Sequence, residues 1–263
     1  MRADKFLAEK FGSRTKAAEA LEKGLVLVNG KPIKPKDEIN DLEAVEFIVA
    51  EESFVSNGGY KLSRGLQAFA FDCKDKVFAD LGASTGGFTD CLLQNGAKRV
   101  YAVDVGESLL HESLLSDSRV VTMENTNARY LSADDFPEKI DGVVTDLSFI
   151  SLRLIFPSVK NILGKEGDAF VLVKPQFECE NKNIGKSGIV HPSAHAKIVE
   201  KVLSYATENG LYPLGIVNAP LRKGKNIEYI LRLQTQRTGA VNAKEIVDSV
   251  QEFIKNYRLE QKK

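Results

Sequence analysis

The sequence has few of the residues that form disulfide frameworks and zinc sites. It contains no tryptophan and only three cysteines among 263 residues. The odd cysteine count and the lack of a CxxC spacing argue against a disulfide framework and against a zinc site. The three histidines are scattered, so we expect no metal centre. A reducing compartment is the simplest home for free cysteines, namely Cys73, Cys91 and Cys179.

Long apolar runs and an excess of one charge are also missing. No run approaches the roughly 18 apolar residues that a membrane helix needs. The charged residues between Arg2 and Lys5 are not typical of a signal peptide, so we expect none. Basic and acidic residues number 36 each, so any affinity for nucleic acid must come from a local charge distribution. These features predict a cytoplasmic protein without a membrane partner.

Charge is distributed unevenly in the first fifty residues. Up to Lys36, nine basic residues stand against four acidic ones. Arg14 and Lys16 open a predicted helix, and a helix N-terminus also favours phosphate. A solvated helical face would explain the same charges, so charge alone leaves both interpretations open. The candidate RNA-binding residues are Arg2, Lys5, Arg14, Lys16 and Lys31.

Three segments of this region resemble the alpha-L RNA-binding fold, also called the S4-like domain. They are Arg2-Ala3-Asp4-Lys5-Phe6-Leu7, Ser13-Arg14-Thr15-Lys16-Ala17 and Gly24-Leu25-Val26-Leu27-Val28-Asn29-Gly30-Lys31. The resemblance covers nearly the whole region and implies RNA binding. We therefore predict a small α+β S4-like domain over residues 1–50, followed by a polar, glycine-containing linker over residues 51–59.

The remaining chain is organised around a glycine-rich turn. A predicted strand at 77–82 leads into Gly82, Gly86 and Gly87, and a helical pattern follows. About twenty residues on, the next predicted strand ends in Asp104. Glycines permit close approach of the backbone to a ligand, and an acid at the tip of the second strand binds ribose hydroxyls. The pattern predicts a nucleoside pocket that would suit either NAD or S-adenosylmethionine.

Predicted strands and helices alternate through the rest of the chain, which indicates an α/β fold with a doubly wound parallel sheet. The last two strands are joined by a short loop without a helix, so we expect them to be antiparallel. That arrangement favours a methyltransferase sheet over a nicotinamide-binding one. An amphipathic helix is predicted over residues 242–263. The predicted strands lie near 77–82, 99–105, 119–124, 141–146, 169–174, 212–218 and 227–233.

Four ionisable residues fall where a doubly wound sheet gathers its functional groups. Asp146 and Lys174 each end an apolar run, Glu228 lies in the last strand, and Lys61 begins a flanking helix. An unpaired lysine at the end of a buried strand would cost several kcal/mol, so a carboxylate partner is expected. The group could be a structural ion pair that closes the sheet. It could also orient and activate a weakly acidic ribose hydroxyl for methyl transfer.

Further motifs, in their order along the chain, resemble the TlyA family of FtsJ-type ribosomal RNA 2′-O-methyltransferases. They are Ser56-Asn57-Gly58-Gly59-Tyr60-Lys61-Leu62, Asp80-Leu81-Gly82-Ala83-Ser84-Thr85-Gly86-Gly87-Phe88-Thr89, Thr126-Asn127-Ala128-Arg129, Asp146-Leu147-Ser148-Phe149-Ile150-Ser151-Leu152, Val173-Lys174-Pro175-Gln176-Phe177-Glu178, Gly188-Ile189-Val190-His191 and Asn226-Ile227-Glu228-Tyr229. The resemblance implies a Rossmann-like class I methyltransferase domain over residues 60–263. It also implies S-adenosylmethionine as cofactor, and ribosomal RNA in ribosomal subunits as partner, with cytidine in 16S or 23S RNA as target.

The resemblance also assigns roles to individual residues. The Lys-Asp-Lys-Glu tetrad of FtsJ-type enzymes maps onto Lys61, Asp146, Lys174 and Glu228, with Lys174 nearest the nucleophile. The cofactor would contact Asp80, Gly82, Ser84, Thr85, Gly86, Gly87, Asp104 and Asn127.

Three other functions remain to be weighed. A non-catalytic assembly factor could bind S-adenosylmethionine and RNA without turnover, although an intact tetrad argues against it. A membrane-active cytolysin is suggested only by the older haemolysin name of the family. A dehydrogenase would share the glycine-rich turn, but the expected antiparallel strand pair and Asp80 before the turn speak against it.

Overall fold

A computed structural model shows a chain of two compact units, Met1–Ser53 and Phe54–Lys263. The structure describes residues 1–22, 26–28, 31–39, 45–47, 54–185 and 187–260. Within this part of the chain, none of the helices combines the length and the apolar surface that a transmembrane span requires.

The smaller unit packs two helices against a three-stranded antiparallel sheet. Its helices are α1 (Ala3–Phe6) and α2 (Arg14–Glu22), and its strands are β1 (Val26–Val28), β2 (Lys31–Pro32) and β3 (Val45–Phe47), in the order β2–β1–β3. Apolar side chains from both helices and from β1 form its core, among them Ala3, Leu7, Ala17, Leu21 and Val26. The Asn29-Gly30 turn expected from the sequence lies outside the described residues.

The larger unit is built on a seven-stranded sheet. Its strands are β4 (Val77–Leu81), β5 (Arg99–Val103), β6 (Val120–Met123), β7 (Gly142–Thr145), β8 (Asp168–Val173), β9 (Tyr212–Asn218) and β10 (Tyr229–Gln234). The order is β6–β5–β4–β7–β8–β10–β9, with β10 antiparallel to both of its neighbours and the other pairs parallel. The predicted α/β class and the antiparallel last pair are confirmed.

Helices cover both faces of this sheet. They are α3 (Asn57–Ala68), α4 (Gly87–Gln94), α5 (Glu112–Leu115), α6 (Phe156–Leu163), α7 (Pro175–Glu178), α8 (His195–Glu208) and α9 (Ala243–Glu260). Alternate strand residues point to opposite faces, so Ala79 belongs to the apolar cluster that includes residues of α6, α8 and α9, while Phe78 belongs to the cluster that includes residues of α3 and α4. Helix α9 matches the expected amphipathic tail and buries Ile246, Val250 and Ile254.

Helix α3 begins earlier than the sequence suggested, inside the segment assigned to the linker. The Ser56 hydroxyl caps it by accepting the Gly58 N–H at 3.3 Å. Phe54 is buried, packs edge-on against the Tyr60 ring and would collide with any Cβ added at Gly59. These contacts attach residues 54–59 to the larger unit.

Candidate active site

The four ionisable residues singled out in the sequence meet at one edge of the large sheet. Asp146 and Lys174 directly follow the parallel strands β7 and β8. Glu228 directly precedes β10, whose reversed direction brings its first residues to the same edge. Lys61 reaches this edge from the second turn of α3. Because β10 runs in the opposite direction, Glu228, which precedes it, lies at the same edge as Asp146 and Lys174, which follow their strands.

Ion pairs link the four side chains in a row. Lys174 Nζ lies 2.6 Å from Asp146 Oδ1, and Lys61 Nζ lies 3.3 Å from Asp146 Oδ2 and 2.8 Å from Glu228 Oε2. The side chains are only 9–18% exposed, so solvent screens these pairs less than it would at the surface. One carboxylate therefore serves both lysines.

Lys174 has further partners on the loop that follows β7. Its Nζ donates to the Ser148 hydroxyl at 2.8 Å and to the Asp146 carbonyl oxygen at 3.4 Å. The ammonium of Lys174 is thus held in a defined position by both side-chain and backbone oxygens.

Lys61 is held in its charged form by its two carboxylates. Burial acts to lower its pKa, but the charges and hydrogen bonds of Asp146 and Glu228 outweigh burial and raise the pKa above its usual value. Lys61 therefore stays protonated at neutral pH. Such a group can orient carboxylates and a ligand, but it cannot accept a proton.

Two cavities adjoin the tetrad. The larger, of about 410 Å³, extends along the carboxyl ends of β4, β5 and β7, and the smaller encloses about 190 Å³. They share walls that include Gly82, Ser84 and Asp146. Lys174 lines the smaller cavity. The predicted cofactor residues that line one or both are Gly82, Ser84, Thr85, Gly87, Asp104 and Asn127.

Asp104 ties two loops of the larger cavity together. Its carboxylate accepts the Ser84 N–H at 2.8 Å and the Gly106 N–H at 2.9 Å. Ser84 adopts a left-handed backbone with φ of 49°, which this bond helps to hold. The carboxylate remains on the cavity wall, at the end of β5 where a ribose diol is expected.

Two predicted cofactor residues lie behind the cavities. Gly86 has a φ of 91°, and a Cβ there would lie 2.2 Å from a methyl group of Leu114, so it shapes the turn into α4. Asp80 is fully buried and accepts a hydrogen bond from the Thr89 hydroxyl at 2.7 Å. Both residues support the glycine loop from within the domain and lie outside the lining of either cavity.

Asp80 should make stability depend on pH. Burial raises the pKa of its carboxyl from 3.8 to about 7, despite the Thr89 hydrogen bond. The folded state then binds the proton more tightly than the unfolded state, so Asp80 contributes stability below about pH 4 that is lost as the pH rises to about 7. We expect Asp80→Asn to remove this dependence. The melting temperature of the variant relative to that of wild type should therefore increase between pH 5 and pH 8. An exposed-site control, Asp134→Asn, should show the same pH dependence of melting as wild type. The same pH dependence in Asp80→Asn would contradict the assignment.

The sequence analysis did not single out three residues near the tetrad, namely Ser148, Phe149 and Glu178. Ser148 anchors Lys174, and Phe149 is 91% exposed beside it with a left-handed φ of 62°. The Phe149 ring packs on that of Phe177, with centroids 5.1 Å apart. Glu178 is buried and accepts hydrogen bonds from Ser151 Oγ and the Leu152 N–H, both at 2.7 Å. Burial raises the pKa of Glu178. Glu178 thereby fastens the loop after β7 to the helix after Lys174.

In the smaller unit, two candidate RNA-binding arginines share one carboxylate. Arg2 and Arg14 both bind Asp4, with NH2 atoms 2.8 and 3.1 Å from its Oδ2, and the hydrogen bond from Arg2 is the main cause that lowers the Asp4 pKa to about 2. Both arginine side chains stay about half exposed. Lys5 and Lys16 are exposed, while the Lys31 side chain lies outside the described part of the structure.

Comparison with family models gives two matches. The description "FtsJ-like methyltransferase" matches residues 54–235, and "S4 domain" matches residues 1–41. The first match contains all four members of the tetrad, and the second contains Arg2, Asp4 and Arg14.

Relatives of known name match most of the chain. The 16S/23S rRNA (cytidine-2′-O)-methyltransferase TlyA of Mycobacterium tuberculosis is 41% identical over 92% of both chains. A candidate rRNA methyltransferase of Bacillus subtilis, YqxC, is 42% identical over 84% of this chain and 80% of its own. A solved structure from Streptococcus thermophilus, described as a candidate hemolysin, is 38% identical, covers 98% of both chains and superposes with a TM-score of 0.71.

Proposed function

The chain belongs to the FtsJ-like methyltransferase family and carries an S4 domain, and from this we propose that it methylates the 2′-hydroxyl of a cytidine in ribosomal RNA, with S-adenosylmethionine as methyl donor. The observation that carries the proposal is the row Lys174–Asp146–Lys61–Glu228 beside a nucleoside-sized cleft.

The cleft suits S-adenosylmethionine in its shape and in its polar groups. A Cβ at Gly82 would lie 2.7 Å from a methyl group of Leu147. Only glycine therefore lets the backbone pass this close to Leu147, and both residues line the larger cavity. The Asp104 carboxylate would hold the two ribose hydroxyls. Val105 and Ile150 add apolar wall for a purine ring. Bound there, the cofactor would supply an electrophilic methyl group on a sulfonium.

The tetrad would position and activate the accepting hydroxyl. Lys174 lines the smaller cavity, which shares walls with the larger one. It can hold the 2′-oxygen in line for attack, and in its neutral form it can take the hydroxyl proton. Asp146 fixes Lys174, while Lys61 stays charged and fixes Asp146 and Glu228. Positioning of this kind supplies a large part of the barrier lowering for a poor nucleophile.

Phe149 offers a surface for the target base. Its ring is exposed beside the Lys174 anchor Ser148, and its left-handed backbone is uncommon outside glycine. Exposed aromatic rings stack with unpaired bases in RNA-binding proteins. A cytosine stacked there would leave its ribose close to Lys174.

The smaller unit would bind RNA by contacting the phosphates of the RNA backbone. Asp4 holds the guanidinium groups of Arg2 and Arg14 side by side, and both remain accessible. Guanidinium groups arranged in this way suit phosphate oxygens, and exposed Lys5 and Lys16 add positive charge. The choice of cytidine in 16S and 23S RNA follows the named activity of the Mycobacterium tuberculosis relative. A ribosomal substrate would place the enzyme in the cytoplasm.

Transfer of a labelled methyl group tests the proposal. Purified protein and labelled S-adenosylmethionine are incubated with small and large ribosomal subunits that lack 2′-O-methylation. We expect label in one or both RNAs, recovered as an alkali-resistant dinucleotide because a methylated 2′-oxygen cannot assist strand cleavage. Label on a base, or measurable cofactor binding without transfer to either subunit, would refute the proposal.

A further inference from the structure

A groove separate from the tetrad lies between α8 and α9. It encloses about 350 Å³, and its apolar lining includes Pro192, Ile254 and Leu259. Three cationic side chains border it: Lys197 from α8, and Lys255 and Arg258 from the last turns of α9. All three are exposed, and none forms an ion pair with a residue that the structure describes.

The topology places this groove at the same edge of the sheet as the tetrad. Tyr229, the first residue of β10, pairs with Val173 at the carboxyl end of β8. The hydroxyl of Tyr229 lies 2.8 Å from Nδ1 of His195, the first residue of α8. Its ring packs edge-on against Phe253 of α9, with centroids 6.3 Å apart. The ends of α8 and α9 that form the groove therefore lie beside Tyr229, the residue that follows Glu228.

A basic loop lies along the same edge. The connection between β9 and β10 exposes Arg222, Lys223 and Lys225. Asn226 fastens this loop to the segment that enters the groove, since its amide accepts the Val190 N–H at 2.8 Å and donates to the Gly188 carbonyl at 3.0 Å. Pro192, two residues beyond Val190, is part of the groove lining.

From these observations we propose that the α8/α9 groove binds the RNA backbone that flanks the target nucleotide. The proposal rests on the proposed function and adds, to the active site and the smaller unit, a further RNA-contacting surface elsewhere in the methyltransferase unit. Unpaired cations around an apolar floor match a nucleotide, whose phosphates are anionic and whose sugar and base faces are apolar. Any RNA whose ribose reaches Lys174 continues past this edge of the sheet, where Lys197, Lys255 and Arg258 would neutralise its phosphates.

Neutralising the groove should weaken RNA binding without harming the chemistry. We expect the full-length triple variant Lys197→Gln/Lys255→Gln/Arg258→Gln to bind labelled 16S and 23S transcripts about tenfold more weakly. The slope of log affinity against log salt concentration should fall by about 2, because fewer phosphates are neutralised. The KM for ribosomal subunits should rise, while kcat at saturating subunits and the affinity for S-adenosylmethionine stay at wild-type values.

A matched control removes the same charge from the opposite edge of the sheet. Lys139 and Lys165 are exposed and lie close to the amino ends of β7 and β8. Lys244 is exposed in the first turn of α9, three residues after Val241, whose N–H donates to Pro213 at the amino end of β9. The variant Lys139→Gln/Lys165→Gln/Lys244→Gln should bind RNA like wild type. Equal weakening in both triple variants, or unchanged affinity and salt slope in the groove variant, would overturn the proposal. If the triple variant fails to fold, the single changes Lys197→Gln and Arg258→Gln, on different helices, should each weaken binding about twofold.

The measurements also separate the groove from the proposed function. A wild-type protein that binds the transcripts but transfers no methyl group would refute the methyltransferase activity, while the affinity comparison would still decide the groove. A wild-type protein that binds neither transcript nor subunit would overturn both.

Discussion

Replacing Lys174 by alanine should lower methyl transfer by about 10³-fold while the affinities for RNA and S-adenosylmethionine stay close to wild type. The alanine variant loses the amine of Lys174, a residue on the wall of the smaller cavity, and with it the group that we propose to orient the 2′-hydroxyl and receive its proton. Because that interaction is made with the reacting atoms, kcat should fall far more than KM changes. Single-turnover transfer of labelled methyl, with separate binding assays, measures both effects.

Lys174→Arg distinguishes catalysis from a structural ion pair. Arginine keeps the positive charge next to Asp146 but does not give up its proton in proteins. If the ion pair merely closes the sheet, the arginine variant should remain active. If Lys174 receives the hydroxyl proton, the variant should be as inactive as alanine, with wild-type melting. Lys165→Ala, at an exposed site, should leave both activity and melting unchanged, and an active Lys174→Ala variant would refute the assigned role.

Asp146→Ala should destabilise the larger unit as well as abolish activity. Asp146 is the carboxylate shared by Lys61 and Lys174, and all three side chains are at least four-fifths buried. Without it, Lys174 has no carboxylate within ion-pair distance among the described residues, and Lys61 keeps only Glu228. Removing one partner of a buried pair costs about 3 to 5 kcal/mol. We therefore expect the melting temperature to fall by about 10 °C.

Asp146→Asn separates charge from shape at the same position. The amide fills the same volume and can still accept one hydrogen bond from a lysine, but it cannot balance two positive charges. We expect stability between that of wild type and that of Asp146→Ala, with activity as low as in the alanine variant. Thermal melting and methyl transfer on the three proteins measure the two effects. Wild-type melting of Asp146→Ala would show that the lysines do not depend on this carboxylate.

The sheet was predictable because its signals are local and repeated. Each predicted strand overlaps an observed one, since buried parallel strands are short continuous apolar runs. The antiparallel β10 followed from a connection too short to hold a crossover helix, as between Ala219 and Lys225. Topology then brought Asp146, Lys174 and Glu228 to one edge.

Other features depend on contacts that the sequence does not reveal. In the sequence, Phe149 looks like any apolar core residue. In the structure, its left-handed backbone and its exposure distinguish it from the core. Asp80 lies in the same motif as Gly82, but its strand position places it inside the domain, where it lies outside the cavity lining. The early start of α3 depends on Phe54 filling the space left by Gly59. The α8/α9 groove exists only because two helices distant in sequence lie side by side.

The inverted strand β10 also determines when the tetrad can first be complete. Lys61 pairs with Asp146, 85 positions further along the chain, and with Glu228, which is more distant still. Contacts of such long range form late in folding, because a large loop must close before they are made. During synthesis, a chain that has not yet released β10 from its ribosome has a glycine loop and two lysines but an incomplete tetrad. If the tetrad is the catalytic group as proposed, competence arrives only when nearly the whole domain has been made, and unfinished chains cannot modify RNA.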